Sequence, residues 1–345
     1  MSTIAVVTSS PPFVEGGHLV IARSLVQALQ QAGHHADLVL TPANRFTRQG
    51  SAYLANWLTD VGRTSDDRPV DQVISLRFPS YAVRHPRHVC WLNHTMREYY
   101  DLWDRFSDSI PRRAWLRERV RKRLIHGADH YLLARKVTRL FTISETVRRR
   151  LPWPGLHASV LYPPPPPRDY RVDDYEPYLF SVSRFTPLKR LDLVVEALAQ
   201  PDARGIRAVL AGDGEQRAEI AALVSARGLS DRVTLPGRLN DAELLGHLAR
   251  CRAVVFAPQD EDYGFVTVEA FAASRPVITC RDSGGPAELV RHEESGLVVD
   301  PTPTDLARAF RRLIDDRDLA ARLGTAGRLV ADGLTWPATV KRLLL

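Results

Sequence analysis

The stretch EDYGFVTVE, residues 261–269, joins two different kinds of sequence and places two carboxylates eight positions apart. The preceding run AVVFAP, residues 253–258, is typical of a buried strand, and residues 266–273 are typical of a helix. Gly264, between the two acids, lets the backbone turn sharply and lets N–H groups approach a ligand closely. The stretch therefore predicts an α/β fold in which a strand-to-helix corner binds a ligand.

Strand and helix patterns alternate along the whole chain, which favours parallel sheets covered by helices on both faces. Strands are predicted at residues 4–8, 36–41, 72–76, 88–92, 140–143, 178–182, 208–211, 233–235, 253–257, 277–279 and 297–299. Helices are predicted at residues 18–31, 191–199, 215–227, 241–250 and 266–273. The predicted fold class is α/β, with two Rossmann-like, doubly wound parallel-sheet domains and a ligand site in the cleft between them, at the carboxyl ends of the strands.

A linker divides the two halves of this pattern. Five consecutive prolines, residues 163–167, force an extended segment that has no backbone hydrogen-bond donors. The predicted domains are therefore residues 1–170 and residues 171–335. Residues 336–345 are predicted to form a short terminal helix.

The composition is that of a soluble globular protein, with 44% hydrophobic and 25% charged residues in 345. No run of about 18 apolar residues occurs, so no membrane-spanning helix is predicted. The chain enters a strand at once, so a secretory signal peptide is not expected. Cys90, Cys251 and Cys280 lack metal-ligand spacing, and we predict that they are reduced core residues of a cytoplasmic protein.

Positive charge is concentrated in the first half. Residues 1–170 hold 24 Lys and Arg against 14 Asp and Glu, whereas the remainder holds 23 against 26. The densest stretch, RRAWLRERVRKR at residues 112–123, interleaves apolar Trp115, Leu116 and Val120 with the cations. One interpretation is a contact with an anionic membrane or an anionic acceptor. The other is a solvated helix whose apolar residues face the core. Nucleic acid is not favoured, because no stacking aromatics or zinc-binding spacing accompany the charge.

Two further corners follow predicted strands. In PPFVEGGHLVIARSL, residues 11–25, Gly16 and Gly17 open a helix, whose N-terminus favours negative charge, although such a pair also occurs in ordinary loops.

In SVSRFTPLKR, residues 181–190, Arg184 and Lys189 lie five positions apart across a proline-containing turn. Two such cations fit a diphosphate, with Arg as a fork and Lys as a point charge. The alternative is two ordinary surface cations.

The opening stretch has its own chemistry. A carboxylate is a good acceptor for the vicinal hydroxyls of a sugar, and Gly264 would let the N–H groups of Phe265 and Val266 face a ligand. Glu261 and Glu269, about two turns apart, suit two different rings better than one reacting centre. Two glutamates on a solvated helix end would explain neither the glycine nor the buried flanks.

Residues 260–262 also match D-x-D, a metal-holding pattern of another transferase architecture. We discount this match because Arg184 and Lys189 could neutralise phosphate without a metal.

Four segments together resemble the family 4 retaining glycosyltransferases, which have the two-domain GT-B fold. They are GGHLVIARSLVQALQQAGHHADL (16–38), SVSRFTPLKRLDLVVEALA (181–199), LAGDGEQRAEI (210–220) and EDYGFVTVEAFAASRPVITCRDSGGPAELVRHEESGLVV (261–299). The resemblance covers nearly the whole chain and is strongest at residues 178–300. The combination of E-x₇-E, the upstream Arg/Lys pair and the N-terminal Gly-Gly is specific.

The resemblance implies a role for each matching residue. The predicted catalytic residues are His94, Arg184, Lys189 and Glu261. The predicted donor-binding residues are Gly16, Gly17, Arg184, Lys189, Arg238, Leu239, Glu261, Gly264, Phe265, Val266 and Glu269. Arg184 and Lys189 would hold the donor diphosphate, Glu261 with the amides at 264–266 the donor sugar, and Glu269 the ribose. Gly16 and Gly17 would lie beside the phosphate, LPGRL (235–239) would line the base, and His94 would lie near the reacting centre.

The chain also departs from the family pattern. Ser183, Arg190 and Ser274 stand where such enzymes usually have glycine, which puts the local loop geometry in question. The terminal helix, which in these enzymes commonly returns to the N-terminal domain, must be short because the chain ends soon after Trp336. Every charged position of the pattern is kept.

The predicted function is a retaining, metal-independent glycosyltransferase that moves a sugar from a UDP-, GDP- or ADP-linked donor to an acceptor hydroxyl. The nucleoside-diphosphate sugar is a co-substrate, and no cofactor or metal is predicted. The acceptor would be a glycan or lipid-linked molecule in glycan, lipopolysaccharide or glycolipid synthesis. The enzyme would be cytoplasmic and peripheral at the inner membrane face through residues 112–123. The alternatives are a GT-B sugar-nucleotide epimerase and a non-catalytic protein that binds anionic ligands or a membrane surface.

Overall fold

The structure is a computed structural model that describes residues 1–11, 16–43 and 48–345. It contains two compact units, Met1–Pro163 with Trp336–Leu345, and Pro164–Thr335. The change from one unit to the other falls inside the run of five prolines. The last ten residues of the chain therefore group with the first unit rather than with the segment that precedes them.

The first unit is built on a six-stranded parallel sheet in the order β2-β1-β3-β4-β5-β6. Its strands are β1 Thr3–Ser10, β2 His35–Pro42, β3 Gln72–Ser75, β4 His88–Leu92, β5 Arg139–Thr142 and β6 Ser159–Val160. Its helices within residues 1–163 include α1 Gly17–Gln31, α2 Gln49–Leu58, α3 Trp103–Ser109, α4 Arg112–Arg135 and α5 Glu145–Arg149. The central strands are continuous apolar runs, such as Val6-Val7 and Val73-Ile74, because helices cover both faces of a parallel sheet.

One buried carboxylate fixes the long helix α4 to the rest of the first unit. Asp129 accepts hydrogen bonds from the hydroxyl of Tyr53 on α2, from Tyr81 at 2.6 Å and from Tyr100 at 2.6 Å. Burial raises the pKa of Asp129 to about 6, and the three hydroxyl donors oppose that rise. Because this face of α4 is held inward, the opposite face of the helix points to solvent.

The second unit repeats the architecture, with a parallel sheet in the order β12-β11-β10-β7-β8-β9. Its strands are β7 Glu176–Val182, β8 Arg207–Ala211, β9 Val233–Thr234, β10 Cys251–Val255, β11 Val277–Cys280 and β12 Gly296–Val299. Its helices include α6 Leu191–Leu198, α7 Arg217–Ala226, α8 Asp241–Arg250, α9 Phe265–Ala272, α10 Gly285–Leu289, α11 Pro303–Asp315 and α12 Arg317–Asp332. The first strand, β7, lies between β10 and β8, so the strand order reverses beside it, which is where ligands bind in open α/β sheets.

The terminal helix α13, Trp336–Leu343, packs on the first unit. The side-chain amide of Gln72 donates to the carbonyl of Leu343 at 2.6 Å and accepts from the backbone N–H of Leu345 at 3.0 Å. Trp336 meets Trp91 edge to face, with 6.3 Å between the ring centroids. The helix is short, and its end is tied to the edge where β3 begins.

The predicted α/β fold class with two doubly wound sheets is confirmed, and the sequence-based element bounds differ mainly at strand ends. Helix α8 has the predicted bounds, whereas β10 begins and ends two residues before the predicted strand at 253–257. Cys251 already pairs with β7, and the chain leaves the sheet after Val255. The two-residue strand β6 was not predicted, since so short a segment has no periodicity to detect.

The prediction that the three cysteines are reduced core residues is also confirmed. Cys90, Cys251 and Cys280 are free thiols in the core, and burial raises the pKa of each thiol to about 12. Within the described ranges, every helix is too short or too polar to span a membrane.

Candidate functional site

The loops that follow β7 and β10 meet at the carboxyl edge of the second sheet. The backbone N–H of Gln259, after β10, donates to the carbonyl of Leu188, after β7, at 2.7 Å. Parallel strands that are neighbours end at the same edge, so the side chains of both loops are presented together. This corner contains most of the residues that the sequence singled out.

Lys189 and Glu261 are in direct contact at this corner. The ammonium Nζ of Lys189 donates to Oε2 of Glu261, and the two side chains are only 14% and 21% exposed. The same ammonium lies 5.4 Å from the ring centroid of Phe256. The structure thus brings together Lys189, the cation predicted to bind the diphosphate, and Glu261, the carboxylate predicted to bind the sugar. The two opposite charges form an ion pair. A phosphate arriving here would meet a cation that is already held in place.

The other predicted diphosphate cation is not held in this way. Arg184 is exposed, and among the described residues its side chain has no hydrogen-bond or ion-pair partner. It lies on the same loop as Lys189, five residues earlier. Its guanidinium is therefore available to a ligand, although the protein does not fix its direction.

Arg190 is a residue whose importance the sequence reasoning missed. Its guanidinium donates to both carboxylate oxygens of Asp282 at 2.7 Å, to the carbonyl of Ala257 at 2.9 Å and to that of Pro258 at 2.7 Å. These bonds join the loops after β7, β10 and β11. Arg190 has φ +50°, as Ser274 has φ +53°, so both keep the left-handed backbone that glycine would adopt there. The doubt about loop geometry at these two departures is thereby answered.

Gly264 shapes the start of helix α9. Its φ is +80°, and a Cβ there would lie 2.6 Å from the ring of Phe256. Among the residues that the structure describes, no side chain caps this helix. The N–H groups of Phe265 and Val266 belong to its first turn, where the helix itself offers no acceptor. Uncapped first-turn N–H groups and the helix dipole favour an anion at this position.

Glu269, the second glutamate, lies deeper and has a different set of partners. It is buried on α9 and accepts from Nη1 of Arg168, with the hydroxyl of Tyr170 at 3.4 Å. Arg168 also contacts Asp241 of α8 at 3.2 Å. Burial raises the pKa of Glu269 to about 7, against the opposite effect of the Arg168 cation. Sequence reasoning missed Arg168 and Tyr170, which directly follow the proline run, because they are 101 and 99 positions away from Glu269.

This arrangement predicts a pH-dependent role for Arg168. If Glu269 accepts hydrogen bonds from a ribose, binding needs the ionised carboxylate and strengthens as pH rises through about 7. Arg168→Gln removes the cation that favours ionisation, so nucleoside diphosphate affinity should fall several-fold at neutral pH and recover at higher pH. Calorimetric titrations between about pH 6 and about pH 9 measure this.

The matched control for that experiment is Arg168→Lys, which keeps the positive charge and should keep most of the affinity. Tyr170 and Asp241, the other titratable groups that face this pair, are unchanged in both variants. A deficit in Arg168→Gln that is equal at every pH would contradict a role through the ionisation of Glu269.

The segment predicted to line the base follows β9. Arg238 is exposed and Leu239 is half-buried, and Gly237 accepts from the N–H of Gly212 at 2.7 Å. That bond ties this loop to the loop after β8, which in turn packs against the loop after β7. Arg238 and Leu239 therefore lie at the same edge of the sheet as Lys189 and Glu261.

The predicted residues of the first half lie in the first unit. Gly16 and Gly17 follow β1 at the start of α1, and residues 12–15 of the predicted corner lie outside the described residues. His94 follows β4, and its Nδ1 lies 2.6 Å from the carbonyl oxygen of Thr95. Both places are at the carboxyl edge of the first sheet. Their contribution to a shared site with the second unit stays a prediction.

Within residues 1–11, 16–43 and 48–345, no three or more His, Cys, Asp or Glu side chains are grouped so that they could hold a metal ion.

Residues 167–330 match the protein family described as Glycosyl transferases group 1. This range, just under half of the chain, therefore resembles a group 1 glycosyl transferase domain. The corner formed by Lys189, Arg190, Glu261, Gly264 and Glu269 lies wholly inside the matched range. The predicted resemblance to glycosyltransferases is confirmed over this range.

Individual relatives agree with this result. The GDP-mannose-dependent alpha-(1-6)-phosphatidylinositol monomannoside mannosyltransferase of Mycobacterium tuberculosis is 35% identical over 190 residues, which is 51% of this chain and 49% of that protein. The chain spans about half or less of the length of the curated relatives it matches.

Solved structures match over nearly the full length. Sucrose-phosphate synthase from Thermosynechococcus elongatus superimposes with a TM-score of 0.75 at 20% identity, covering 98% of this chain and 96% of that one. HepE from Anabaena, in complex with UDP and glucose, superimposes with a TM-score of 0.69 at 17% identity, covering 98% and 97%. At these identities the comparison shows the fold, and the predicted GT-B fold class is confirmed.

Proposed function

We propose that this chain is a retaining, metal-independent glycosyltransferase that moves a sugar from a nucleoside-diphosphate sugar to an acceptor hydroxyl. The observation that carries the proposal is the pairing of Lys189 with Glu261 near the uncapped N-terminus of α9, inside the group 1 domain. The mycobacterial relative is named for GDP-mannose, and the Anabaena structure holds UDP and glucose. Both names support a nucleotide-sugar donor.

Each site residue has a physical role in this proposal. Lys189 and Arg184 bind the diphosphate, and the N–H groups that begin α9 add their partial positive charge. Glu261 accepts hydrogen bonds from the sugar hydroxyls while it orients Lys189, and Glu269 accepts from the ribose. Gly16, Gly17 and His94 of the first unit and Arg238 and Leu239 of the second are proposed to complete the contacts with phosphate, reacting centre and base.

The proposed reaction needs no side-chain base. The acceptor hydroxyl attacks the anomeric carbon from the face that the diphosphate leaves, the bond from that carbon to the phosphate oxygen breaks, and this oxygen takes the hydroxyl proton. The configuration at the anomeric carbon is therefore retained. The protein contributes positioning and electrostatic stabilisation of the leaving diphosphate, chiefly through Lys189 and the start of α9.

The first experiment is to incubate the protein with UDP-, GDP- and ADP-sugars and to measure the release of nucleoside diphosphate. We expect slow release from the matching donor, faster with an acceptor, and unchanged after treatment with EDTA, because cations of the protein neutralise the diphosphate. No release from any donor would favour the non-catalytic alternative. Interconversion of the sugar would favour the epimerase. Loss of activity with EDTA that Mn²⁺ restores would make the D-x-D residues 260–262 a metal site.

We also propose that helix α4 contacts an anionic membrane on which a lipid-linked acceptor would lie. The alternative, that the apolar residues of 112–123 face the core, is not supported, because Trp115, Leu116 and Val120 are 41%, 68% and 50% exposed. Leu124, which follows this stretch, is 69% exposed. The buried side of α4 is instead formed by Glu118, Ile125, Asp129, Leu132 and Leu133. An exposed apolar row beside arginines is typical of helices that lie in a membrane interface. Binding should require anionic vesicles and should weaken with salt.

A further inference from the structure

A separate cavity lies beside α4 in the first unit. It has a volume of about 360 Å³ and is lined by Trp103, Arg119, Lys122, Arg123 and His126. Three of the five lining side chains are cations, and no carboxylate is among them. The volume is at the lower end of the range for small-ligand pockets, which suits a headgroup rather than a long chain.

The three cations of the cavity are not neutralised by carboxylates of the described residues. Within the described part of the chain, Arg119, Lys122 and Arg123 have no ion-pair partner, whereas Arg121 of the same helix is bonded to the buried Glu118 at 2.8 Å. Lys122 and Arg119 make cation–π contacts instead. Lys122 lies 4.4 Å from the ring centroid of Trp103, and Arg119 lies 4.5 Å from the ring centroid of Trp115. Such contacts orient a cation without neutralising it. The cavity therefore has an unbalanced positive charge.

His126, the remaining lining residue of the cavity, is held in place by a hydrogen bond and by ring stacking. Nε2 of His126 donates to the carbonyl of Tyr99 at 2.8 Å, and its ring stacks on Tyr100 at 4.2 Å. Burial lowers the pKa of both His126 and Lys122, and Arg119 lowers that of Lys122 further, while Asp104 of α3 acts in the opposite direction. Lys122 is thus less hydrated than a cation at an open surface, and the exposed Arg119 and Arg123 lie beside it, so the pocket favours an anionic ligand.

The register of α4 places this cavity beside the exposed apolar row. Arg119, Lys122, Arg123 and His126 follow one another at i, i+3, i+4 and i+7 and share one flank of the helix. Leu116, Val120 and Leu124, at i, i+4 and i+8, form the adjacent outward row. A ligand with an anionic head in the cavity would direct an attached apolar chain along this row. Free phosphate would use only the cavity.

We infer that the cavity between α3 and α4 binds the phosphate of an anionic phospholipid headgroup, while Leu116, Val120 and Leu124 contact its acyl chains. The inference rests on the proposed membrane contact and adds a specific site to it. The guanidinium groups of Arg119 and Arg123 would donate paired hydrogen bonds to the phosphate oxygens. The ammonium of Lys122, which lies against the Trp103 ring, would add a positive charge. The site is distinct from the corner that contains Lys189 and Glu261.

The test compares two variants that each remove one positive charge from α4. Lys122→Gln changes the cavity, and Arg113→Gln changes an exposed cation outside it. Co-sedimentation is measured with vesicles of phosphatidylcholine alone and of phosphatidylcholine mixed with phosphatidylglycerol. A charge that acts only through the surface potential should cost about fivefold in affinity. We expect that for Arg113→Gln, and about tenfold or more for Lys122→Gln, since a bound phosphate also loses a charge-assisted hydrogen bond.

Each other outcome has a defined meaning. Equal losses in the two variants would overturn the pocket and leave a diffuse electrostatic contact. Equal binding of the wild type to neutral and anionic vesicles would overturn the anionic ligand. If inorganic phosphate raises the thermal midpoint of the wild type but Lys122→Gln binds vesicles normally, the cavity is a free-phosphate site and the lipid assignment is wrong. Arg119→Gln provides a second cavity variant should Lys122→Gln fold poorly. Nucleoside diphosphate release by the wild type, measured without vesicles, reports separately on the transferase activity.

Discussion

Replacing Lys189 by alanine should lower kcat by a factor of roughly 10²–10³, comparable to the loss of one oxyanion-hole donor. The ammonium is largely shielded from water, so its interaction with the leaving diphosphate is weakly screened. The substitution also leaves Glu261 without its partner, and an unpaired carboxylate at this position would repel the diphosphate. Steady-state kinetics with the matching donor measure the effect.

The control is Lys189→Arg, which keeps the charge and should retain more activity than the alanine variant. A loss in kcat/KM caused only by a higher KM would contradict this prediction, because it would mean that Lys189 stabilises the ground state and the transition state equally.

The glutamate variants test the division of roles at the same corner. Glu261→Ala should lower kcat but leave nucleoside diphosphate affinity equal or higher, because that ligand has no sugar and Lys189 becomes free for its phosphates. Glu269→Ala should weaken nucleoside diphosphate binding, because it removes the proposed ribose contact and leaves Arg168 without this partner. Calorimetric titration of each variant with the nucleoside diphosphate measures these affinities. If Glu261→Ala weakens the affinity as much as Glu269→Ala does, the assignment of sugar and ribose is wrong.

The second large effect is expected from Gly212→Ala, which should lower the free energy of unfolding by about 3 kcal/mol or more, as overpacking and backbone strain add. Gly212 has φ +129°, and a Cβ there would lie 1.8 Å from the carbonyl oxygen of Ser183. The loops after β7 and β8 cross at this point, where Phe185 donates to Asp213 at 3.0 Å and Gln216 donates to Phe185 at 3.1 Å. Separating them would also displace Lys189, so donor hydrolysis should fall as well.

Gly228→Ala is the matched control. Gly228 also has positive φ, +66°, but no atom of the described residues lies within 4 Å of the position that a Cβ would take there. It should therefore cost only the conformational penalty of about 1–2 kcal/mol and leave donor hydrolysis unchanged. Denaturant unfolding of both variants gives the comparison. Equal losses of stability would show that φ, and not the crossing of the two loops, limits what position 212 accepts.

Local patterns were sufficient to predict the fold and the place of the strand-to-helix corner. The alternation of short apolar runs with helical periodicity predicted two doubly wound units, since covered parallel strands and amphipathic helices each leave a characteristic spacing. Gly264 before the helix at 266–273 and the spacing of Glu261, Glu269 and Lys189 predicted a strand-to-helix corner with anion and sugar chemistry. These properties depend on residues that are neighbours in the chain, so a single sequence contains them.

The partners of these residues were decided by the tertiary structure. Lys189 meets Glu261 across 72 positions, Arg190 meets Asp282 across 92, and Arg168 meets Glu269 across 101. No spacing rule relates such pairs, because the strand order β10-β7-β8, and not the order along the chain, determines which loops are adjacent. The orientation of α4 was decided in the same way. Apolar residues lie on two sides of this helix, so its sequence alone does not show which side is buried. The hydroxyls of three tyrosines from distant segments hold Asp129 inward, so that Leu116, Val120 and Leu124 face solvent.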